Sequence, residues 1–193
     1  QKRRLEHEYL RSFTTEQLGL LRSRLQGNIS GNIKLVQGLV STLETEPNMP
    51  PARFEDLASR IFREDNQLRS LAIAPDFVVS RVFPLQGNGA SLGLNYRKNE
   101  RQRAAAMQVR EQNRLIVTGP VELVQGGRGV IARYPIRIGP KDTFFGIASA
   151  VIDLDKLLES SGFKSNLPVA VSMSSVSKDG GKTQEFFQTD AAV

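Results

Sequence analysis

The first quarter of the chain carries a single apolar stripe at helical spacing. Leucine, isoleucine and valine recur every three or four positions between Leu18 and Leu43, and no proline interrupts residues 5–43. This period predicts one continuous α-helix. At 1.5 Å per residue that helix would be roughly 60 Å long, longer than a small domain is wide. We therefore expect it to act as a spine, as a dimerisation element, or as both.

The pattern changes after residue 46. Prolines at positions 47, 50 and 51 end the long helix, because proline lacks the amide donor that a helix interior needs. Phe54, Ile61 and Phe62 then recur at the spacing of a second helix. The ranges Leu68–Ala74 and Phe77–Pro84 are rich in apolar and β-branched residues, which predicts two strands.

Residues 91–136 are the stretch around which the remaining elements are organised. Asn99 is predicted to cap a helix over Glu100–Asn113, since asparagine is a favoured first cap and the alanines that follow have high helix propensity. Leu115–Thr118 is predicted to be a strand that Gly119-Pro120 breaks.

A hairpin is predicted after that strand. Val121–Gln125 and Gly129–Ile136 flank Gly126-Gly127, and glycine tolerates the positive φ angles that tight hairpin turns require. Side chains of a strand alternate between its two faces, so Arg133 shares a face with Ile131. Both faces are too apolar to be fully solvated. We expect one face to pack on helices and the other to line a cavity.

The last part of the chain predicts one long apolar strand, Phe144–Ile152, and a short helix, Leu154–Ser161. Two more strands, Val169–Met173 and Glu185–Gln188, flank a loop over Lys178–Lys182. These residues either complete the preceding sheet or begin a second small domain, which Ser161-Gly162 favours. The predicted fold is α+β: a long N-terminal helix (1–46), a PAS-like antiparallel sheet (47–152), and an incomplete second PAS-like domain (153–193).

Composition narrows the function. The net charge is +6, and residues 97–114 hold six basic against two acidic residues. No groove-reading motif or aromatic cluster accompanies them, so a solvated helix face is favoured over a nucleic-acid partner. The absence of cysteine and the single histidine exclude disulfides and thiolate catalysis and leave almost no material for a metal site. No cofactor is predicted, and no apolar run reaches the ~20 residues of a membrane span.

Three classes of function remain open. The serines and acids show no nucleophile motif, paired base or phosphate loop, which counts against an enzyme. A ligand sensor predicts an apolar cavity with convergent polar groups. A structural dimerisation module predicts a filled core instead.

Motifs of the middle stretch resemble those of a known family. LGLNYR (92–97) and GPVELVQGG (119–127), with IFREDNQLRSLAIAPDFVVSRVFPLQGN upstream and FFGIASAVIDLDKLL downstream, resemble the CHASE domain over Phe54–Phe163. The resemblance implies the periplasmic or extracellular sensor of a transmembrane receptor, held between two membrane helices, with a membrane-distal ligand-binding domain. A histidine kinase or a cyclic-di-GMP enzyme would lie inside the cell.

The resemblance also implies site residues. In the plant members, which bind cytokinins, Thr118 corresponds to a pocket threonine at the end of a strand. Gln102 and Arg133 stand where those receptors have an aspartate and a second threonine, which argues against cytokinin.

A buried arginine needs a partner, and its planar fork suits a carboxylate or phosphate. We therefore expect a small ligand, anionic or adenine-like, at Arg133, Thr118, Gln102 and the backbone of Val121–Val124. Leu123, Val124 and Ile131 are predicted to form the wall. The alternative is that Arg133 pairs with Glu122 or points to solvent.

Overall fold

The computed structural model describes residues 2–175 and 184–189. Its elements are α1 Lys2–Thr45, α2 Pro51–Arg63, β1 Leu68–Pro75, β2 Arg81–Phe83, a 3-10 turn Gly89–Ser91, α3 Glu100–Gln112, β3 Ile116–Glu122, β4 Arg128–Ile138, β5 Thr143–Asp153, α4 Leu154–Ser160, β6 Val171–Ser175 and β7 Gln184–Thr189. The chain divides into two compact units, one of residues 30–154 and one of residues 1–29 with 155–193. The predicted α+β class is confirmed, and the domain boundaries stay a prediction.

The long helix is continuous, as its stripe predicted. It runs for 44 residues, and the part that belongs to the larger unit buries Val36, Leu39, Val40 and Leu43. These four positions follow the i, i+3, i+4, i+7 spacing of one helix face. No helix among the described residues is both long and apolar enough to cross a membrane.

The larger unit is built on a five-stranded antiparallel sheet in the order β2-β1-β5-β4-β3. β5 is the central strand: Ala72 lies opposite Ser149 on one side, and Arg133 lies opposite Ser149 on the other. The hairpin of β3 and β4 pairs Thr118 with Ile131. Opposite residues point to the same face, so these side chains share one face of the sheet.

Helices cover both faces of this sheet. On one face the Tyr134 hydroxyl donates to the carbonyl oxygen of Ile33 in α1 at 2.8 Å, and the ring of Phe62 in α2 meets that of Phe83 in β2 at 5.3 Å. On the other face α3 buries Ala106 and Val109 against the sheet. The layering leaves the space beside α3 as the place for a cavity.

The structure corrects the predicted strand Phe77–Pro84. Only Arg81–Phe83 is a strand, because Asp76 and Phe77 adopt left-handed φ angles of 45° and 70° that turn the chain away from the sheet. The Tyr96 amide donates to the Phe77 carbonyl oxygen at 2.9 Å. The segment therefore holds the loop after β2 in place rather than extending the sheet.

The prediction that Gly119-Pro120 ends the strand is wrong. β3 continues through it to Glu122, and the register shifts between Thr118 and Val121. Proline has no N–H to give to the ladder, so the irregularity absorbs the two unpaired residues. Thr118 therefore lies within a strand rather than at its end.

The smaller unit combines the start of α1 with α4 and a separate two-stranded sheet of β6 and β7. The Asn28 amide donates to the Ser161 hydroxyl at 3.0 Å, and the rings of Phe163 and Phe187 meet edge to face at 5.4 Å. Val171–Ser175 lies two residues after the predicted start of that strand. The predicted loop Lys178–Lys182 lies outside the described residues.

Candidate functional site

Three of the predicted site residues meet beneath α3. The predicted cap is present, since the Asn99 side chain accepts from the Gln102 amide at 3.1 Å. The cap fixes the first turn of α3 and with it the Gln102 side chain. Thr118 comes from β3 and Arg133 from β4. The hairpin register and the helix cap together bring these distant residues to one point.

Arg133 holds this group together. Its Nη1 donates to the Thr118 hydroxyl at 2.7 Å, and its Nη2 donates to the Gln102 side-chain oxygen at 2.8 Å. The side chain is 1% exposed, and burial lowers its pKa. Its Nε has no hydrogen-bond partner among the residues that the structure describes. The guanidinium is thus a buried cation that donates to two neutral acceptors and leaves its Nε donor unused.

Neither alternative for Arg133 occurs. It does not reach solvent, and no acidic side chain within residues 2–175 and 184–189 forms an ion pair with it, Glu122 included. The ring of Tyr96 lies 5.7 Å from its guanidinium carbon, and the Tyr96 hydroxyl hydrogen-bonds to the Ser149 hydroxyl at 3.1 Å. An aromatic face gives partial compensation for a cation, but it does not neutralise the charge.

A small cavity adjoins this group. Its lining combines apolar side chains of the sheet and the hairpin with hydroxyl and amide groups: Ser70, Ala72, Ser91, Leu94, Tyr96, Gln102, Leu123, Val124, Gln125, Ile131, Ser149 and Val151. The centre of a water molecule can occupy about 20 Å³ of it, which is room for one or two waters.

Gln102 belongs both to the hydrogen-bonded group around Arg133 and to the lining of the cavity. Of the predicted site residues, Gln102, Leu123, Val124 and Ile131 line the cavity. Arg133 adjoins it through its hydrogen bond to Gln102, and Thr118 adjoins Arg133 through a second hydrogen bond. Leu123 and Ile131 are buried, and Val124 is 42% exposed at the rim.

Sequence reasoning missed several polar groups of the site. Tyr96 and Ser149 are buried at its floor, and Ser91 donates to the Gln125 side-chain oxygen at 3.3 Å. Tyr96 belongs to the LGLNYR motif, which was a usable signal. Alternation along β5 could have placed Ser149 on a face, but only the register of β4 against β5 puts it opposite Arg133.

Comparison with known families decides the kind of domain. The sequence matches the CHASE domain over residues 30–186. The chain belongs to the CHASE domain family. The resemblance predicted from its motifs is confirmed. The prediction of an extracytoplasmic sensor is confirmed at the level of the family, because CHASE domains are sensory rather than catalytic. In a comparison with curated proteins, none matches this CHASE domain in sequence.

Solved structures share its fold. An extracellular ligand-binding receptor from Desulfohalobium retbaense superposes with a TM-score of 0.65 at 16% identity, over 79% of the CHASE chain and 28% of its own. The ligand-binding domain of the Pseudomonas aeruginosa amino acid chemoreceptor PctC, in complex with GABA, gives 0.65 at 22% identity, over 89% and 74%. That of the Pseudomonas fluorescens chemoreceptor CtaA, in complex with L-serine, gives 0.64 at 14% identity, over 92% and 72%.

Proposed function

We propose that this CHASE domain senses a small molecule that carries a carboxylate or a similar anionic group, with Arg133 as its counter-ion. The observation that carries the proposal is the buried guanidinium, which has two neutral acceptors and an unused Nε donor. Two of the similar folds are ligand-binding domains of chemoreceptors, solved with GABA and with L-serine. Both of those ligands carry a carboxylate, which agrees with the proposed class.

Recognition would proceed by exchange of the hydrogen-bond partner of Arg133. Gln102, whose side-chain oxygen accepts from Nη2, also lines the cavity, so an anion beside Gln102 would lie close to the guanidinium. The Gln102 oxygen is a neutral acceptor, whereas a carboxylate also supplies the negative charge that the buried guanidinium needs. A carboxylate would therefore displace the Gln102 oxygen and shift the first turn of α3.

Calorimetric titration tests this proposal. The purified domain is titrated with L-amino acids, dicarboxylates and adenine derivatives, and the best ligand is then titrated into Arg133→Met. Because the ligand only replaces the Gln102 oxygen on Arg133, the loss of Arg133 is expected to weaken binding by about 1–2 kcal/mol, or about 5- to 30-fold. Arg103→Met is the matched control, because Arg103 is exposed on α3. Equal affinity of wild type and Arg133→Met for the same carboxylate would overturn the anion assignment.

A second candidate function is supported by the size of the cavity. Room for one or two waters is less than a ligand of amino-acid size needs, and a well-filled core suits a structural module of a receptor without a ligand. No heat with any compound of the panel, together with an unchanged melting temperature, would favour this module over the sensor.

We also propose that the domain forms a parallel homodimer through α1. Leu5 and Tyr9 are 66% and 70% exposed, and Phe13 continues their i, i+4 row, its ring 6.4 Å from that of Tyr9. An exposed apolar row on a helix is suited to a second copy of the same helix. Analytical ultracentrifugation should show a dimer that Tyr9→Glu dissociates. A wild type that stays monomeric at 100 times the protein concentration of the calorimetric titration would contradict the proposal.

The attached output module follows from the family as a proposal. A CHASE domain between two membrane helices would regulate a cytoplasmic histidine kinase or cyclic-di-GMP enzyme by shifting the population of two states. The coding sequence on either side of this domain tests it. Two flanking apolar spans and a signalling enzyme are expected, and their absence would refute this arrangement.

A further inference from the structure

The turn between β3 and β4 forms one wall of the cavity. Leu123, Val124 and Gln125 from this turn line it. The turn closes on itself through the Leu123 amide, which donates to the Gly127 carbonyl oxygen at 2.9 Å. A space for one or two waters is too small for a ligand of amino-acid size unless a wall moves.

Arg69 of β1 holds this turn through two hydrogen bonds. Its Nη1 donates to the Gly126 carbonyl oxygen at 2.5 Å and its Nη2 to the Gln125 carbonyl oxygen at 3.0 Å. These contacts join residues 57 and 56 positions apart in the chain. Two donors of one guanidinium on two successive carbonyls fix both the position and the direction of the turn.

The local backbone explains why the Arg69 side chain can reach this turn. The register of β1 against β5 shifts between Leu68 and Ser70, so Arg69 is the extra residue of a β-bulge. Bulges re-aim a side chain that regular alternation would send elsewhere. Gly127 has a φ of 74°, and a Cβ built there would lie 2.8 Å from the Arg69 Nη1. The second glycine of the turn therefore leaves the space that the guanidinium occupies.

A second contact, made by Ser91, holds the same turn. The Ser91 hydroxyl donates to the Gln125 side-chain oxygen at 3.3 Å. Ser91 ends a 3-10 turn and is itself buried. Gln125 is thus held through its main chain by Arg69 and through its side chain by Ser91.

We propose that Arg69 and Ser91 form a latch that keeps the turn Leu123–Gly127 closed over the cavity, and that its release is the step that admits a ligand. The inference rests on the proposed ligand site, because a latch has a function only if something enters. Arg69 is a positioning residue here and does not line the cavity. The side chains of Arg133, Thr118 and Gln102 take no part in the latch.

The chain contains no cysteine, so a single introduced thiol reports access to the cavity without any ligand. Ser149→Cys places a thiol on the cavity floor, and Ala150→Cys places one on the opposite face of the same strand, where Ala150 is 1% exposed. Each protein is treated with iodoacetamide, and the rate of alkylation is followed by mass spectrometry. The rates are then measured again with Arg69→Met, Ser91→Ala and, as a matched control, Arg103→Met.

The latch predicts that Arg69→Met speeds alkylation of the thiol at position 149 by about tenfold or more, since local opening sets the labelling rate of a buried group. Ser91→Ala is expected to give a smaller rise, and Arg103→Met none. The thiol at position 150 should stay at its original rate throughout. An unchanged rate at 149 in both latch variants would overturn the proposal. Equal rises at 149 and 150 would also overturn it, because they would report loosening of the whole sheet.

Should Arg69→Met not fold, Ser91→Ala decides alone by the same comparison. The outcome is independent of whether a carboxylate binds. A gated but ligand-free cavity would fail only the titration, and an open cavity that binds an anion would fail only the labelling.

Discussion

Arg133 is predicted to destabilise the free domain. It is a cation with 1% exposure and no carboxylate partner within the described residues. Removing an ion from water still costs several kcal/mol after relaxation of the protein. An unpartnered buried N–H, here Nε, costs about 1–3 kcal/mol more.

The groups that compensate these costs among the described residues include no carboxylate, so the charge itself stays unneutralised. The hydrogen bonds to Thr118 and Gln102 contribute about 1.5–3 kcal/mol each, and the ring of Tyr96 at 5.7 Å adds about 1 kcal/mol. Methionine has a similar length and no charge. Thr118 and Gln102 are only half-buried, so water can satisfy their oxygens. We expect Arg133→Met to raise the free energy of unfolding by about 1–3 kcal/mol, or about 3 °C in melting temperature per kcal/mol.

Urea denaturation followed by circular dichroism measures this, since the chain has no tryptophan. The urea midpoint should rise at an unchanged slope, which reports stability rather than compactness. Arg103→Met, the same change at an exposed site, should stay within about 0.5 kcal/mol of wild type. A loss of more than about 1 kcal/mol in Arg133→Met would refute the reasoning, since it would mean that the group fully compensates its own charge.

Three further changes test other parts of the larger unit. Tyr134→Phe removes the donor to the Ile33 carbonyl oxygen and should cost about 0.5–1.5 kcal/mol in urea unfolding. Burial raises the pKa of Tyr134, so this phenol contributes stability below its unfolded-state pKa of about 10 that is lost at higher pH, and Tyr134→Phe should show a shallower alkaline decline. Gly129→Ala should cost about 1–3 kcal/mol, because its Cβ would lie 2.8 Å from the Ile152 carbonyl oxygen. By contrast, Gly38→Ala, in an exposed helix position with no atom within 4 Å of a new Cβ, should raise the melting temperature through a gain of about 0.5–1 kcal/mol.

Local patterns predicted most of the elements, because a helix or a hairpin is encoded within a few neighbouring residues. The period of α1, the Asn99 cap and the turn at Gly126-Gly127 all depend on such short-range rules. The failure at Phe77–Pro84 has the opposite cause. Its β-branched residues favour a strand, but the left-handed turn at Asp76 and Phe77 overrides that propensity.

The site depended on pairings that no local pattern contains. Thr118, Gln102 and Arg133 were predicted as separate contacts of a ligand, whereas the structure shows Arg133 donating to the other two. Ser149 joined them through the register of two long strands. Arg69 was out of reach of the sequence, because alternation assumes an unbroken strand and a bulge shifts it by one residue.

The exchange of partners at Arg133 also limits how strong the signal of such a domain can be. A ligand shifts two states only by the difference in its affinity for them. The state with Gln102 on Arg133 already satisfies Nη2 at 2.8 Å, so a carboxylate gains only the difference between a charged and a neutral acceptor. That difference, about 1–2 kcal/mol, corresponds to about a 5- to 30-fold change in the ratio of the two states. The unused Nε adds to this range only if the incoming anion reaches it, which makes a two-oxygen acceptor a stronger agonist than a single hydroxyl. Comparing a carboxylate with the matching alcohol in the same titration tests this ranking, and equal affinities would contradict it.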